Sequence, residues 1–391
     1  MKDNKILVFY PHNIFDQNSG INNRYLNLLK YFRVRGFDVD IFSINNGWRK
    51  NTGHDHSSLI SDLYVFEQED FVLKEFLKRI YTKIKKIFSG TDYFTLPDLT
   101  TDKMKAEFRR VVSNKKYNSV MISYINWANL IDDPGLKGIT KVLDLSDFTT
   151  HQLFEKSGGK INIGAVLDEE IRRVDLFDKV MTVSDKEQYL FSQFCEYPEF
   201  HSAPIFMDEV ETKDMEQDLD ILIVGSKNPH NVKGLKWFFE KVFDLIGGEF
   251  SLAVAGELSG FIPYGKGAIR IKNFDNPSEL YSRAKVALSP LLSGSGMKVK
   301  VVEALSFGLP VVTTGPGSAG INGEMENGVF STDDPAQFAS YIKKLLSDNR
   351  FYKESSDSAL SFFKQNFSNK VVYKNLDSVF INKNMPDERY I

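Results

Sequence analysis

The chain has 391 residues, 42% hydrophobic and 26% charged, which is enough length for two hydrophobic cores rather than one. A net charge of -3 argues against a protein whose main work is neutralising nucleic-acid phosphates, although a global sum leaves a local basic patch open. The single cysteine, Cys195, excludes an intrachain disulfide framework and a thiolate metal cluster, and beside Phe194 it reads as an ordinary small apolar residue of a reducing compartment.

Ile6 to Tyr10 is an apolar run of strand length, shorter than a signal-peptide core or a spanning helix. With no longer apolar run in the chain, the expected location is the cytoplasm, with peripheral attachment to the inner face of the cytoplasmic membrane as an option. Asn22 to Phe32 carries apolar residues at helical spacing, Gly36 stops that helix, and Phe37 to Ile44 reads as the next strand. Strand, helix and strand at this spacing make a βαβ unit and imply a parallel sheet. Residues 45–65 are polar and read as a loop. Phe71 to Phe88 reads as an amphipathic helix with Lys74, Lys78, Arg79, Lys83, Lys85 and Lys86 opposite its apolar face. Three readings stay open for it: a solvated helix packed on the sheet, a contact with an anionic membrane surface, or a contact with a partner protein or acidic polymer.

Val120 to Tyr124, Lys141 to Leu145 and Lys179 to Val183 are further strands of a first domain, residues 1–205. The acidic stretch within 206–218 reads as a linker. Alternation restarts in a second domain, residues 219–360. Its strands are Leu219 to Val224, Ser251 to Ala255, Ile269 to Ile271, Val286 to Leu288 and Pro310 to Thr313. Its helices are Gly234 to Ile246, Pro277 to Arg283, Val299 to Phe307 and Pro335 to Leu346. Residues 361–391 read as a helical tail, with packing back on the first domain as one option. The expected class is α/β, two Rossmann-like domains facing each other across a deep cleft, with ligands beyond the carboxyl ends of the strands.

The residues that can carry chemistry cluster between Ser289 and Gly320. Gly294 and Gly296 allow tight backbone geometry around Ser295 and Met297. The helix that follows aims free N–H groups back into that loop, and Lys298 and Lys300 add charge. Together they make a diphosphate seat. Glu303 suits a ribose diol, with a cap or structural ion pair as the plainer alternative. Thr313 to Gly320 can line the same cleft. In Gly225 to Gly234, Lys233 can reach a phosphate with Asn231 and His230 orienting it, or Asn231 can be a helix cap and Lys233 merely solvated. Asp38 with Asp40, and Asp218 with Asp220, have metal-ligand spacing. Both pairs abut strand starts, so solvated carboxylates are expected and no metal is assigned.

Gly225, Lys233-Gly234, Gly294 to Gly296, Glu303-Ala304 and Gly308-Leu309-Pro310-Val311-Val312 stand in an ordered combination. In it the chain resembles the large retaining glycosyltransferase family of the GT-B fold, often grouped as family 4 or glycosyl transferases group 1. The resemblance covers nearly the whole chain and is strongest from Leu219 to Gly320. It implies a nucleotide-diphosphate sugar as donor, held by the second domain, and a glycan or lipid-linked glycan acceptor held by the first. That fits bacterial surface polysaccharide synthesis, with no cofactor required and no nucleic-acid partner. Lys233, Lys298 and Asp147 would carry the chemistry, with His151 as the neighbour to Asp147. Gly20, Ser226, Lys227, Asn231, Lys233, Gly294, Ser295, Gly296, Met297, Lys298, Lys300 and Glu303 would hold the donor. Ser19 to Arg24 resembles the loop and helix start that contact donor and acceptor. Two positions depart from the family pattern: Ser295 stands where a glutamate is frequent, and Ser226, beside Lys227, where an arginine is. They leave the donor sugar open. Alternatives are a sugar-nucleotide epimerase or phosphorylase on the same scaffold, or a non-catalytic glycan- or lipid-binding homologue. A Rossmann oxidoreductase is weaker, because Gly20 stands alone after Tyr10.

Overall fold

The computed structural model describes residues 4–16, 20–44, 48, 58–67, 95–211, 217–274, 276–294, 296–321 and 325–381. The basic amphipathic stretch 71–88 and the terminal residues 382–391 lie outside them. Two compact units divide the chain: Met1–Ala203 with Asn375–Ile391, and Pro204–Lys374.

The first unit holds a seven-stranded sheet of β1 (Asn4–Phe9), β2 (Phe37–Ser43), β3 (Asp62–Val65), β4 (Ser119–Ser123), β5 (Thr140–Leu145), β6 (Lys179–Thr182) and β7 (Glu199–Ser202). All pairs are parallel, in the order β3-β2-β1-β4-β5-β6-β7. Parallel strands need crossovers, and helices α1 (Gly20–Val34), α2 (Asp102–Asn114), α3 (Thr149–Lys156), α4 (Ile163–Val174) and α5 (Asp185–Ser192) lie between them. Burial on both faces explains why β1 reads as a continuous apolar run, with Ile6 to Phe9 almost wholly inaccessible. Helix α2, unassigned from the sequence, starts where Thr101 accepts from Met104 N at 3.2 Å, and it buries Met104, Phe108, Val111 and Val112 on one stripe.

Strand β3 corrects the expectation of a loop over residues 45–65. It is an edge strand of four residues that pairs with β2 alone and leaves Asp62 and Leu63 exposed, so its apolar run from Leu63 is too short to stand out from the polar residues before it. Edge strand β7 escaped notice for the same reason. Asp40 is a second correction. Rather than a solvated carboxylate it is fully buried, accepting from Lys115 Nζ and Tyr117 Oη at 2.6 Å each. Asp38 pairs with Lys5, Asp218 with Arg283 and Asp220 with Lys285. Among the described residues no group of three or more His, Cys, Asp or Glu could hold a metal ion. Cys195 packs half-buried at the edge of the first core, where burial pushes its thiol up to about 12.

The second unit repeats the plan with six parallel strands: β8 (Leu219–Val224), β9 (Leu252–Ala255), β10 (Ile269–Ile271), β11 (Ala284–Ser289), β12 (Val311–Thr313) and β13 (Val329–Ser331), in the order β10-β9-β8-β11-β12-β13. Its helices are α6 (Pro229–Trp237), continued through a wider turn at Phe238–Val242, then α7 (Pro277–Arg283), α8 (Val299–Ser306), α9 (Pro335–Ser347) and α10 (Asn349–Asn366). Phe206 is fully buried, and Met207 N donates to Phe367 O at 3.1 Å, so this part of the acidic joining segment belongs to the unit's body. Helix α11 (Asn369–Phe380) starts in the second unit and ends in the first. There Asp377 accepts from Arg35 Nε and Nη2 at 2.7 and 2.8 Å, and the Phe380 ring meets Phe32 at 4.9 Å.

Among the described residues of the first unit, Arg24 and Asp144 form a fully buried ion pair. Arg24 Nη1 and Nη2 donate to Asp144 at 2.6 and 2.7 Å, Nη2 also reaches Ala203 O at 3.1 Å, and Tyr25 Oη donates to the same carboxylate. Removing one partner strands a charge in a low-dielectric interior. Asp144→Ala should therefore cost about 3–5 kcal/mol, read as a lower urea midpoint, whereas Glu354→Ala at the exposed Arg350 pair should leave the midpoint unmoved.

Candidate functional site

In each sheet the strand order reverses between two neighbours, β1 and β4 in the first and β8 and β11 in the second. The crossovers on either side of such a point leave in opposite directions and open a crevice at the carboxyl ends. In the second unit the loops that leave there, 225–228 and 290–298, are the two glycine-bearing stretches singled out from the sequence.

Helix α6 begins at Pro229, with Asn228 Oδ1 accepting from His230 N at 2.8 Å. This corrects the expected start at Gly234 and the option of Asn231 as cap. A proline pre-set for the first helical position and an asparagine before it place the start earlier. Lys233 thereby sits in the second turn, exposed, instead of at the helix start. Gly234 faces the other loop so closely that an added Cβ would lie 2.2 Å from Pro290 O. No other residue fits there without moving backbone.

That approach lets side chains join the two loops. His230 Nδ1 and Ser293 Oγ are 2.7 Å apart. Lys300 Nζ donates to Asn231 Oδ1 at 2.7 Å, and Asn231 Nδ2 donates to Ser226 O at 3.1 Å. Asn231 thus orients Lys300, not Lys233. Lys227 turns aside to Glu257, with 3.0 Å between Nζ and Oε1. Lys298 Nζ donates to Gly294 O at 3.0 Å and to Gly296 O at 2.7 Å, drawing the loop around its own ammonium. Gly294 takes φ 109°, a conformation that side chains rarely allow. Ser295 lies outside the described residues. Met297 packs half-buried against the second core.

Helix α8 has Lys298 as its N-cap residue without a side-chain cap, and its first N–H groups have no partner within the helix. The loop after β12 starts by bracing the backbone of 289–291, and at its far end Gly320 comes so close to Met297 that an added Cβ would lie 3.2 Å from the Met297 side chain. Thr313 Oγ1 donates to Ser289 O at 2.8 Å, Thr314 Oγ1 donates to Leu291 O, and both threonines are fully buried.

Burial, and then the nearby Lys298, pull the Lys300 ammonium down to about 8, while Glu303 acts in the opposite sense. Burial raises the Glu303 carboxyl, against the Tyr281 hydrogen bond and Lys300. Glu303 stands in the second turn of α8, so it is no cap, and it accepts one hydrogen bond, from Tyr281 Oη to Oε2 at 3.0 Å. An ionised carboxylate with a single such bond has capacity for a diol.

In the first unit, Gly20 opens α1, and Asp147 follows β5 partly buried. His151 is exposed, its ring 6.4 Å from that of Phe148. Arg24 is committed to Asp144 and so is structural. The residues at this sheet's switch point carry no local sequence signal. Tyr124, just past β4, has φ 66°, the one positive value at a non-glycine position among the described residues. Its ring lies 6.2 Å from Tyr10, just past β1, and His12 is 5.5 Å from Tyr10 and 6.4 Å from Tyr124. Burial lowers the His12 imidazole and lifts the Tyr124 phenol to about 12. Only strand order reveals this cluster, since 114 residues separate Tyr10 from Tyr124.

Residues 218–348 match the model of the family Glycosyl transferases group 1. This gives the chain a glycosyltransferase domain, and with it the class of a glycosyltransferase. A relative described as an uncharacterized 44.6 kDa protein in the cps region of Klebsiella pneumoniae is 23% identical over 365 residues, covering 83% of this chain and 91% of its own length. Among solved structures the chain is similar to a sucrose-phosphate synthase from Thermosynechococcus elongatus. That likeness is 12% identical with a TM-score of 0.71, over 97% of this chain and 98% of that one. It is also similar to Anabaena HepE in complex with UDP and glucose, 13% identical with a TM-score of 0.65, over 96% and 98%. These likenesses show the fold, the GT-B architecture of two parallel-sheet α/β units.

The contact at Gly234 makes a direct prediction. Gly234→Ala should destabilise the protein by about 1–3 kcal/mol, as overpacking against backbone does. The loss should be read as a lower urea midpoint, because Pro290, which opens the 290–298 loop, must move.

Proposed function

We propose that this chain is a retaining glycosyltransferase that takes a sugar from a nucleoside-diphosphate donor and passes it to a glycan or lipid-linked glycan acceptor in bacterial surface polysaccharide synthesis. The observation that carries this reading is the junction of the two switch-point loops. There Asn231 holds Lys300, Lys298 closes the glycine loop, and the N-terminus of α8 opens beside them. The diphosphate accumulates negative charge as the glycosidic bond breaks, and N–H groups and ammonium groups already in place stabilise it without reorganising. In this reading they supply the positive charge at the leaving group, so no divalent ion is required.

Glu303 takes the ribose diol. Lys298 exchanges its loop carbonyls for phosphate oxygens when the donor binds, and Lys233 and Lys227 add to the field around the phosphates. Asp147 faces the transferred sugar. The acceptor hydroxyl attacks on the face from which the diphosphate departs, and the departing phosphate takes its proton, so no protein nucleophile is needed. UDP in HepE supports a uridine nucleotide as the first to try. The relative's place in a cps region supports a capsular or similar polysaccharide product. The basic stretch 71–88 suits an acceptor presented at an anionic membrane surface. No helix among the described residues is long and apolar enough to cross a membrane.

Titration with UDP and with UDP-sugars, with and without magnesium, tests the reading; absence of binding to every nucleoside diphosphate tried would sink it. Lys298→Ala and Glu303→Ala should each weaken UDP by about 10- to 100-fold, the range for a hydrogen bond to a charged group. Unchanged affinity in both variants would move the site elsewhere.

The pH dependence has a defined sign. Only the charged Lys300 ammonium attracts the diphosphate, and the free protein loses that proton as pH rises through about 8. UDP affinity should therefore fall between about pH 7 and about pH 9, with proton uptake on binding visible by calorimetry in buffers of different ionisation enthalpy.

A further inference from the structure

Lys300 and Glu303 stand three positions apart on α8, which makes them surface neighbours of opposite charge on one helix. Long side chains at that spacing ordinarily pair with one another. Here each is taken by a different element instead. Lys300 Nζ donates to Asn231 on α6 at 2.7 Å, and Glu303 Oε2 accepts from Tyr281 on α7 at 3.0 Å.

Tyr281 is placed to do this and little else. Its helix begins at Pro277 behind an Asn276 cap, and its side chain is 2% exposed. The ring lies against Phe307 with centroids 5.6 Å apart and planes inclined by 25°. Packing fixes the ring, so the hydroxyl is delivered to one point. There it meets Glu303 Oε2, with Lys300 O at 3.4 Å as a second acceptor. A buried phenol that keeps its proton donates it to a carboxylate and stays neutral, so it holds the carboxylate without cancelling its charge. Burial and the adjacent carboxylate hold that proton far above the ordinary tyrosine range.

We propose that Tyr281 is a positioning residue that holds the Glu303 carboxylate away from Lys300, so that the carboxylate is left for the ribose diol and the ammonium for the diphosphate. The proposal rests on the nucleotide reading above and adds to it the group that separates the two functions. Without the phenol, Glu303 swings to Lys300. One ion pair then removes the ribose acceptor and neutralises a phosphate donor together. Preorganisation of this kind limits the ordering cost at the moment of binding.

The test compares UDP, 2′,3′-dideoxy-UDP and inorganic diphosphate by calorimetry on the full chain and on Tyr281→Phe, which keeps the ring and its packing. The wild type should prefer UDP to the dideoxy analogue. Tyr281→Phe should bind UDP about tenfold more weakly, the effect of about one hydrogen bond. Its affinity for the dideoxy analogue should fall less, so that the preference for the ribose diol collapses. A variant that keeps the wild-type preference overturns the proposal while leaving the nucleotide reading intact. A uniform loss on all three ligands overturns it as well, since that is loop damage rather than positioning. If the wild type binds no UDP, or binds UDP and the dideoxy analogue alike, the nucleotide reading of Glu303 fails first. Glu303→Gln in the Tyr281→Phe background gives a second check. It should change the preference no further, because the carboxylate is already withdrawn from the diol, and an additional loss overturns the proposal.

Discussion

Helix α6 leaves β8 against the carbonyl of Pro290, at a distance that admits no side chain at Gly234. From that contact the rest of the site follows by short steps. It brings His230 within reach of Ser293 and Asn231 within reach of Lys300, so two loops from adjacent strands become one polar surface. Adjacency of β8 and β11 in turn comes from the strand order, which reverses between them. Backbone packing therefore precedes the electrostatics: the charges can be close only because the helix and the strand exit touch.

The electrostatics then have to be kept from collapsing. Lys298, Lys300 and Glu303 lie within six residues of sequence, on a loop end and one helix turn, partly out of water. Each charged group is assigned to a different neutral partner: loop carbonyls, an amide oxygen and a phenol. Neutral partners satisfy a charged group without cancelling it. Direct ion pairs among these residues would have to be broken before any charged or polar ligand could be held there. The first unit shows the opposite arrangement. Arg24 and Asp144 cancel each other directly, fully buried, and serve the fold.

Residue chemistry alone carried part of this. Alternation of apolar runs and helical stripes marked most of the central strands of both sheets, since a strand covered on both faces must be apolar along its length. Gly294 to Glu303 stood out for a similar reason, since glycines, lysines and a carboxylate in one short stretch are costly to bury, and the structure brings this stretch together with Ser226 to Asn231. Edge strands β3 and β7 were not legible, because each is only four residues long and pairs on one side, so neither shows the long apolar run of a central strand. The start of α6 was misjudged by giving Gly234 the role of a helix opener. The glycine is there for the Pro290 carbonyl, a neighbour 56 positions away in the chain.

What the sequence determined by itself was local: which segments are strands or helices, where charge gathers, and which family the second half resembles. Local periodicity, capping and composition act over a few residues, and they can be read from them. What only the tertiary structure decided was partnership. Asn231 serves Lys300 and not Lys233, Arg24 belongs to Asp144, Tyr124 meets Tyr10 across the switch point, and Tyr281 rather than Lys300 takes Glu303. Those pairings depend on strand order and on how closely one backbone approaches another. Both arise from packing among residues far apart in the chain, and no stretch of sequence read by itself contains them.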